Sequence, residues 1–204
     1  MGPEPAPRSY REHGPLRLGR SYTKRAMAGL RGDERAWIRG AQAGSLSDLE
    51  ALFREHWSRA YRAAYLVVHD APAAEDIAQE AFLAAIRTLD RFDRRRPFGP
   101  WLHRIVVNRA IDWARSRALR AEVGDSMLVA VADTERTEST FSPPVVAALA
   151  ELSPERRAVI VLRHLLEYTP GEIAELLELP RGTVNSRLRR GLDQLADSLE
   201  GELL

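Results

Sequence analysis

The chain has 204 residues, of which 45% are hydrophobic and 29% charged, the profile of a soluble globular protein with one or two small cores. Thirty basic and 29 acidic residues leave a net charge of +1, so bulk charge singles out no partner and the placement of charge must carry the information. The absence of cysteine excludes disulfides, thiolate metal sites and a cysteine nucleophile, and fits a reducing, cytoplasmic setting.

The first 32 residues carry prolines, glycines and scattered arginines without a sustained apolar period or a secretory signal. Residues 1–36 are therefore expected to form an N-terminal extension, largely disordered. From Trp37 the pattern becomes helical, and no run of alternating β-branched residues suggests a sheet. Ser47-Asp48-Leu49-Glu50 resembles a capping box that starts a long helix, with Leu49, Leu52, Phe53, Ala60, Tyr61 and Ala64 on its apolar side. His69-Asp70-Ala71-Pro72 breaks that helix. Its apolar stretch at residues 63–68 is far shorter than the roughly 20 residues of a membrane span, so no membrane insertion is expected.

Residues 73–89 predict a second helix with two distinct sides. Ala78, Phe82, Ala85 and Leu89 form a core stripe, whereas Asp76, Gln79, Glu80 and Leu83 form an acidic patch around an exposed leucine. That combination suits a protein partner, although a merely solvated acidic face fits the pattern too. Two prolines and a glycine make residues 92–100 a loop, and Trp101 opens a helix running to about Leu119. This helix buries Leu102, Val106, Ala110 and Trp113, and presents Arg104, Asn108, Ile111 and Arg115 on its far side. Residues 91–120 hold nine arginines against two aspartates, a basic field suited to a polyanion.

Charge then reverses. Between residues 121 and 140 five acids face one arginine and helical periodicity lapses, so residues 121–143 read as a flexible acidic linker between two helical domains. Such a tether can keep the chain soluble, or occupy a basic nucleic-acid channel. Beyond it, Ser153-Pro154-Glu155 and the capping box Thr169-Pro170-Gly171-Glu172 start short helices, and Pro180 allows a further start. The order is that of a helix-turn-helix.

On the last helix Val184, Leu188, Leu192, Leu195 and Leu199 form the core stripe, and Gly182, Thr183, Ser186 and Arg190 lie roughly opposite, flanked by Arg187 and Arg189. Residues 181–191 contain four arginines and no acid, whereas a solvated helix would intersperse carboxylates for i,i+4 pairing. A recognition helix in the major groove with flanking phosphate contacts is the expected role. No catalytic or metal site is expected: the five histidines have no ligand spacing, the neighbouring acids diverge, and no phosphate-binding glycine loop is present.

These stretches resemble a known family. AAEDIAQEAFLAAIRTLDRF with FGPWLHRIVVNRAIDWARSR is similar to the sigma-two domain of the extracytoplasmic-function (group IV) sigma factors of bacterial RNA polymerase. LSPERRAVIVLRHLLEYTPGEIAELLELPRGTVNSRLRRGLDQL is similar to their sigma-four domain. The resemblance implies an all-α fold of two small helical domains, a sigma-two bundle over 37–120 and a sigma-four helix-turn-helix over 144–204. It implies core RNA polymerase (β′ coiled coil and β flap), promoter DNA and an anti-sigma factor as partners, with no cofactor and no enzymatic activity of its own. By the same resemblance Asp76, Gln79, Glu80 and Leu83 bind core polymerase. Arg94, Arg95, Phe98, Trp101, Arg104, Asn108, Ile111 and Arg115 engage the −10 element. Arg181, Thr183, Asn185, Ser186, Arg187, Arg189 and Arg190 engage the −35 element. Three positions depart from the family: Glu178 replaces a usual glycine in the turn, Asn185 a usual basic residue and Gly191 a usual alanine. A helix-turn-helix regulator of the response-regulator output type is the rival reading, but the N-terminal half shows no β/α receiver pattern. A non-DNA-binding interaction adaptor is the other.

Overall fold

The computed structural model describes the backbone of residues 26–122 and 142–201, and the side chains of residues 33–120 and 142–200. The N-terminal stretch 1–25 and most of the acidic linker expected at 121–143 lie outside the described residues. Among the described residues the fold is all-α, with eight α-helices and no strand.

Helix α1 (Ala26–Gln42) begins well inside the expected N-terminal extension. It belongs to the packed structure: Ile38 is fully buried, the Glu34 carboxylate meets His56 Nε2 at 2.9 Å, and Gln42 Nε2 donates to the carbonyls of Leu89 and Phe92. An apolar period too short to stand out in sequence is thus anchored by polar contacts to distant residues. Helix α2 (Leu46–Val68) is capped by Ser45, whose hydroxyl accepts from the Asp48 amide at 3.3 Å, two residues before the expected Ser47. Both serines sit in the same polar run, and backbone geometry decides between them. His69 closes α2 in the left-handed region with its amide on the Tyr65 carbonyl. Asp70 then caps α3 (Ala71–Thr88) by accepting from the Ala73 amide.

A single 3₁₀ turn, Leu89–Arg91, leads to a short loop, and α4 spans Phe98–Glu122. The helix therefore starts three residues before Trp101, because Pro100 in its first turn sacrifices no intrahelical hydrogen bond. Helices α1 to α4 enclose the first bundle around Leu52, Ala60, Val67, Ala78, Phe82, Leu102, Val106 and Ala110.

Helices α5 (Pro143–Ala150) and α6 (Pro154–Ile160), a π-helical turn (Val161–Leu165), α7 (Pro170–Leu177) and α8 (Arg181–Gly201) form the C-terminal part. The capping box at Thr169 forms as expected: the Glu172 amide donates to its hydroxyl, and the Glu172 carboxylate accepts from the Thr169 amide. Glu178 ends α7 at φ 54° and ψ 43°, the left-handed geometry in which glycine would be unstrained. Val184, Leu188 and Leu195 are buried, but Leu192 of the expected core stripe is exposed, because the stripe drifts around a straight helix.

The two parts share one apolar core. Helix α6 packs on α2 and α4, and α7 packs on α4. Polar anchors cross the boundary as well. Arg157 Nη1 donates at 2.6 Å to the Val67 carbonyl in the last turn of α2, where an unpaired acceptor and the helix dipole both favour a cation. Burial pulls the Arg157 pKa down to about 10, and nearby Glu155 opposes the change. His103 Nδ1 and the Tyr168 hydroxyl share a 2.8 Å hydrogen bond.

Candidate nucleic-acid and protein interfaces

On α3, the sequence Ala-Glu-Asp-Ile-Ala-Gln-Glu-Ala alternates small core alanines with polar residues, so one side packs and the other faces solvent. Asp76, Gln79, Glu80 and Leu83 are all exposed on that side, Leu83 by 50%. Gln79 Nε2 donates to Glu75, and Glu80 pairs with Arg109 of α4 at 2.5 Å. The surface is more apolar than the sequence suggests. Ile86 is 38% exposed, and Phe53, expected in the core of α2, is 40% exposed with its ring 4.8 Å from those of Trp57 and Phe82. Ile86 lies one turn beyond Leu83, a spacing that could have drawn attention to it.

The basic loop and α4 form a second surface. Arg94 and Arg95 are exposed, and the Arg95 amide donates to Asp93, which fixes the turn. Trp101 is half-buried, its ring 4.6 Å from Phe92 and edge-on to Phe98 at 5.5 Å. Phe98 and Ile111 depart from expectation: they are 3% and 7% exposed. Phe98 seals the start of α4 against His56 and Phe92, so its ring offers no free face. Ile111 lies on the same side of α4 as Arg104, Asn108 and Arg115, a side that meets the C-terminal part of the chain. There Arg104 pairs with Glu178 at 2.5 Å and Arg115 Nε donates to Glu155 at 2.7 Å. Asn108 alone of the four is exposed without a pairing to that part. Burial tends to raise the Glu155 pKa, but the hydrogen bond from Arg115 helps hold the carboxyl below its ordinary value.

The third surface is α8. Arg181, Asn185, Arg189 and Arg190 are exposed, whereas Thr183, Ser186 and Arg187 are half-buried. The Ser186 hydroxyl donates to the Thr183 carbonyl at 3.0 Å, so it is engaged by its own helix as well as facing outward. The α7 cap at Glu178 and the restart at Pro180 hold this helix across α7, and no carboxylate lies on α8 before Asp193. Among the described residues there is no cluster of acids and histidines suited to a metal ion, and no helix long and apolar enough to cross a membrane.

Comparison with known proteins gives this geometry a family. The Sigma-70 region 2 model matches residues 52–120, and the Sigma-70 region 4 model matches residues 144–195. The chain is 31% identical over 176 residues to the ECF RNA polymerase sigma factor SigW of Bacillus subtilis, covering 79% of this chain and 92% of SigW. It is 32% identical over 176 residues to SigL of Mycobacterium tuberculosis, covering 81% and 96%. Among solved structures it resembles a chain in the complex of CnrH with the cytosolic domain of CnrY, with 28% identity, a TM-score of 0.63, and coverage of 83% and 98%. With both regions matched in order and relatives above 30% identity along nearly their whole length, the chain belongs to the ECF RNA polymerase sigma factors and acts in transcription initiation.

Proposed function

We propose that this sigma factor divides its work among the three surfaces. The exposed face of α3, with Asp76, Gln79, Glu80 and Leu83, docks on the β′ coiled coil of core polymerase, and Phe53 and Ile86 extend its apolar part. The domain concerned is the expected 37–120 bundle, extended toward the N-terminus by α1. Arg94, Arg95, Trp101, Arg104, Asn108 and Arg115 engage the −10 element as a melted strand. Asn108 offers both a donor and an acceptor to a base edge, and Trp101 offers an aromatic surface for stacking. The arginines hold phosphates and give the register.

The domain over 144–204 reads the −35 duplex. Arg190 and Asn185 are the exposed candidates for base edges, and Arg181, Arg187 and Arg189 flank them toward the backbone. An arginine set bidentate on guanine discriminates by about 1–3 kcal/mol, so a single such contact at α8 is enough to matter. The acidic segment between α4 and α5 links the two domains. The protein contributes no catalysis of its own, works in the cytoplasm, and is restrained by an anti-sigma factor. The CnrH complex, in which a similar chain is bound by another protein, supports that last partner.

The observation that supports the reading most is the coexistence of an exposed acidic and leucine-bearing face with two separate basic faces on one chain. A stand-alone regulator needs only α8, and an adaptor needs neither basic face. In vitro transcription with purified core polymerase, a promoter library and this protein as the only specificity subunit tests it. RNA starting at defined sites is expected; failure to bind core and to start RNA at defined sites would reject the reading.

A further inference from the structure

Helix α1 reaches both ends of the basic loop. At the start of the loop, Gln42 Nε2 donates to the Leu89 carbonyl at 2.8 Å and to the Phe92 carbonyl at 3.1 Å, which uses both hydrogens of its amide. The Leu89 carbonyl also receives the Phe92 amide at 2.9 Å, so the 3₁₀ turn that launches the loop is tied to α1 as a unit. At the end of the loop, Glu34 meets His56 Nε2 at 2.9 Å, and the His56 ring lies 5.2 Å from that of Phe98. Gly99 permits this approach, since a Cβ there would stand 3.3 Å from His56 Cε1. Glu34 and Gln42 are two turns apart on α1, about 12 Å along its axis.

Both routes converge on Trp101. Its ring lies 4.6 Å from Phe92 and edge-on to Phe98 at 5.5 Å, so the two rings that flank it are those α1 holds, one by its carbonyl and one through His56. The loop also needs holding. Arg91, Arg94, Arg95 and Arg96 are all exposed, and Asp93 is the sole acid from residue 91 to residue 100, so like charges well inside a Debye length push this segment apart. The Sigma-70 region 2 match begins at residue 52, which leaves α1 outside the segment that defines the domain.

We propose that Gln42, together with Glu34 acting through His56, is a positioning residue for promoter melting: α1 sets the loop at residues 92–97 and the Trp101 ring in the pose that receives the −10 strand. The inference rests on the assignment of that loop and Trp101 to the −10 strand. Neither side chain of α1 touches DNA. Each removes freedom from Phe92 or Phe98, so the aromatic surface is already formed when the strand arrives. Core docking on α3 and −35 reading by α8 do not depend on these contacts, because α1 packs on α2 and the 3₁₀ turn.

The test uses full-length protein in holoenzyme. Gln42→Met keeps the length of the side chain but cannot donate, and Glu34→Leu, made separately, removes the other contact. Gln194→Met is the control: Gln194 also bridges elements, accepting from Arg156 at 2.8 Å and donating to the Glu151 carbonyl at 3.3 Å, but within the C-terminal domain. Urea unfolding verifies that each variant is folded at the assay temperature. Opening is followed with 2-aminopurine in the −10 element, on a promoter the holoenzyme selects and on the same promoter with one −10 base pair changed. Each α1 variant should open the selected promoter about five-fold more slowly and lower the ratio of selected to changed promoter by about three-fold, the scale of lost hydrogen bonds. Amide exchange at Phe92, Arg95 and Arg96 should accelerate in the free protein. Core affinity and −35 duplex binding should stay within about two-fold of the parent, as should every readout of the control.

A merely structural role slows both promoters equally, so an unchanged ratio in either α1 variant, or a loss no larger than in Gln194→Met, overturns the positioning role. The underlying −10 assignment is judged separately, by Trp101→Ala in otherwise parental protein. Lost selectivity there beside parental behaviour of Gln42→Met refutes the positioning role alone; intact selectivity refutes the strand-binding assignment, and the positioning role with it.

Discussion

Replacing His103 with glutamine and measuring stability at two pH values tests how the two domains are joined. His103 is buried on α4, its Nδ1 shares the hydrogen bond with Tyr168, and its Nε2 has no hydrogen-bond partner. Burial, with added repulsion from His56 and Arg59, lowers its pKa to about 3. In the native state the ring therefore stays neutral, while in the unfolded chain it takes up a proton below about pH 6.5. Stability is greatest above pH 6.5 and is lost progressively as pH falls from there toward 3, because the unfolded state binds more protons. Between pH 7.5 and 5.0 linkage sets the loss from His103 at about 2 kcal/mol. His69, lowered to about 4 mainly by burial and further by Arg157, adds about the same over that window. Glutamine keeps a neutral polar group for Tyr168 but does not titrate. Urea unfolding followed by tryptophan fluorescence and far-ultraviolet dichroism should show the pH-dependent loss reduced by about 2 kcal/mol in His103→Gln. An unchanged difference between the two pH values would mean that His103 is not held neutral between the domains.

Other perturbations address packing and the separate surfaces. Gly191 is buried in α8, and a Cβ there would meet Ile160 Cδ1 at 2.7 Å. Gly191→Ala gains about 1 kcal/mol of helix propensity but crowds Ile160, so pairing it with Ile160→Val should give a favourable coupling of about 1 kcal/mol in a double-mutant cycle; strict additivity would contradict the packing. Asp76→Arg with Glu80→Arg should weaken core-polymerase binding by at least ten-fold while leaving the dichroism spectrum intact, and parental core affinity would remove α3 from that interface. Asn108→Ala should impair promoter melting more than −35 duplex binding, whereas Arg190→Ala should weaken −35 recognition by about 1–3 kcal/mol and spare melting. Equal losses at both elements in each variant would contradict the division of labour between α4 and α8.

Legibility in the sequence followed what each signal reports. Hydrophobic period located α2, α3, α4 and α8, and turn chemistry located their ends to within a few residues, because caps and apolar stripes are local requirements of a helix. The acidic face of α3 and the carboxylate-free start of α8 were visible for the same reason, since an exposed charged side is written directly in the residue order. The shared side of α4 was harder to assess. A wheel groups Arg104, Asn108, Ile111 and Arg115, but it cannot tell a side facing solvent from one facing another domain. Ile111 therefore looked available and is buried; Phe98, offered to the −10 element by the family resemblance as part of a loop, is buried as well. Helix α1 was equally hidden, because its anchors, Glu34 to His56 and Gln42 to Leu89 and Phe92, are polar contacts with distant residues.

By itself the sequence determined an all-α chain, two basic surfaces, one acidic and apolar surface, and the order of two regions shared with the sigma factors. Only the tertiary structure decided that Glu178 and Glu155 meet Arg104 and Arg115, that Arg157 caps α2, and that His103 is sealed against Tyr168. The physical reason is range. Helix propensity, capping and amphipathicity are settled within a few turns of chain, whereas ion pairing and desolvation between domains depend on which surfaces are brought together across long separations in sequence.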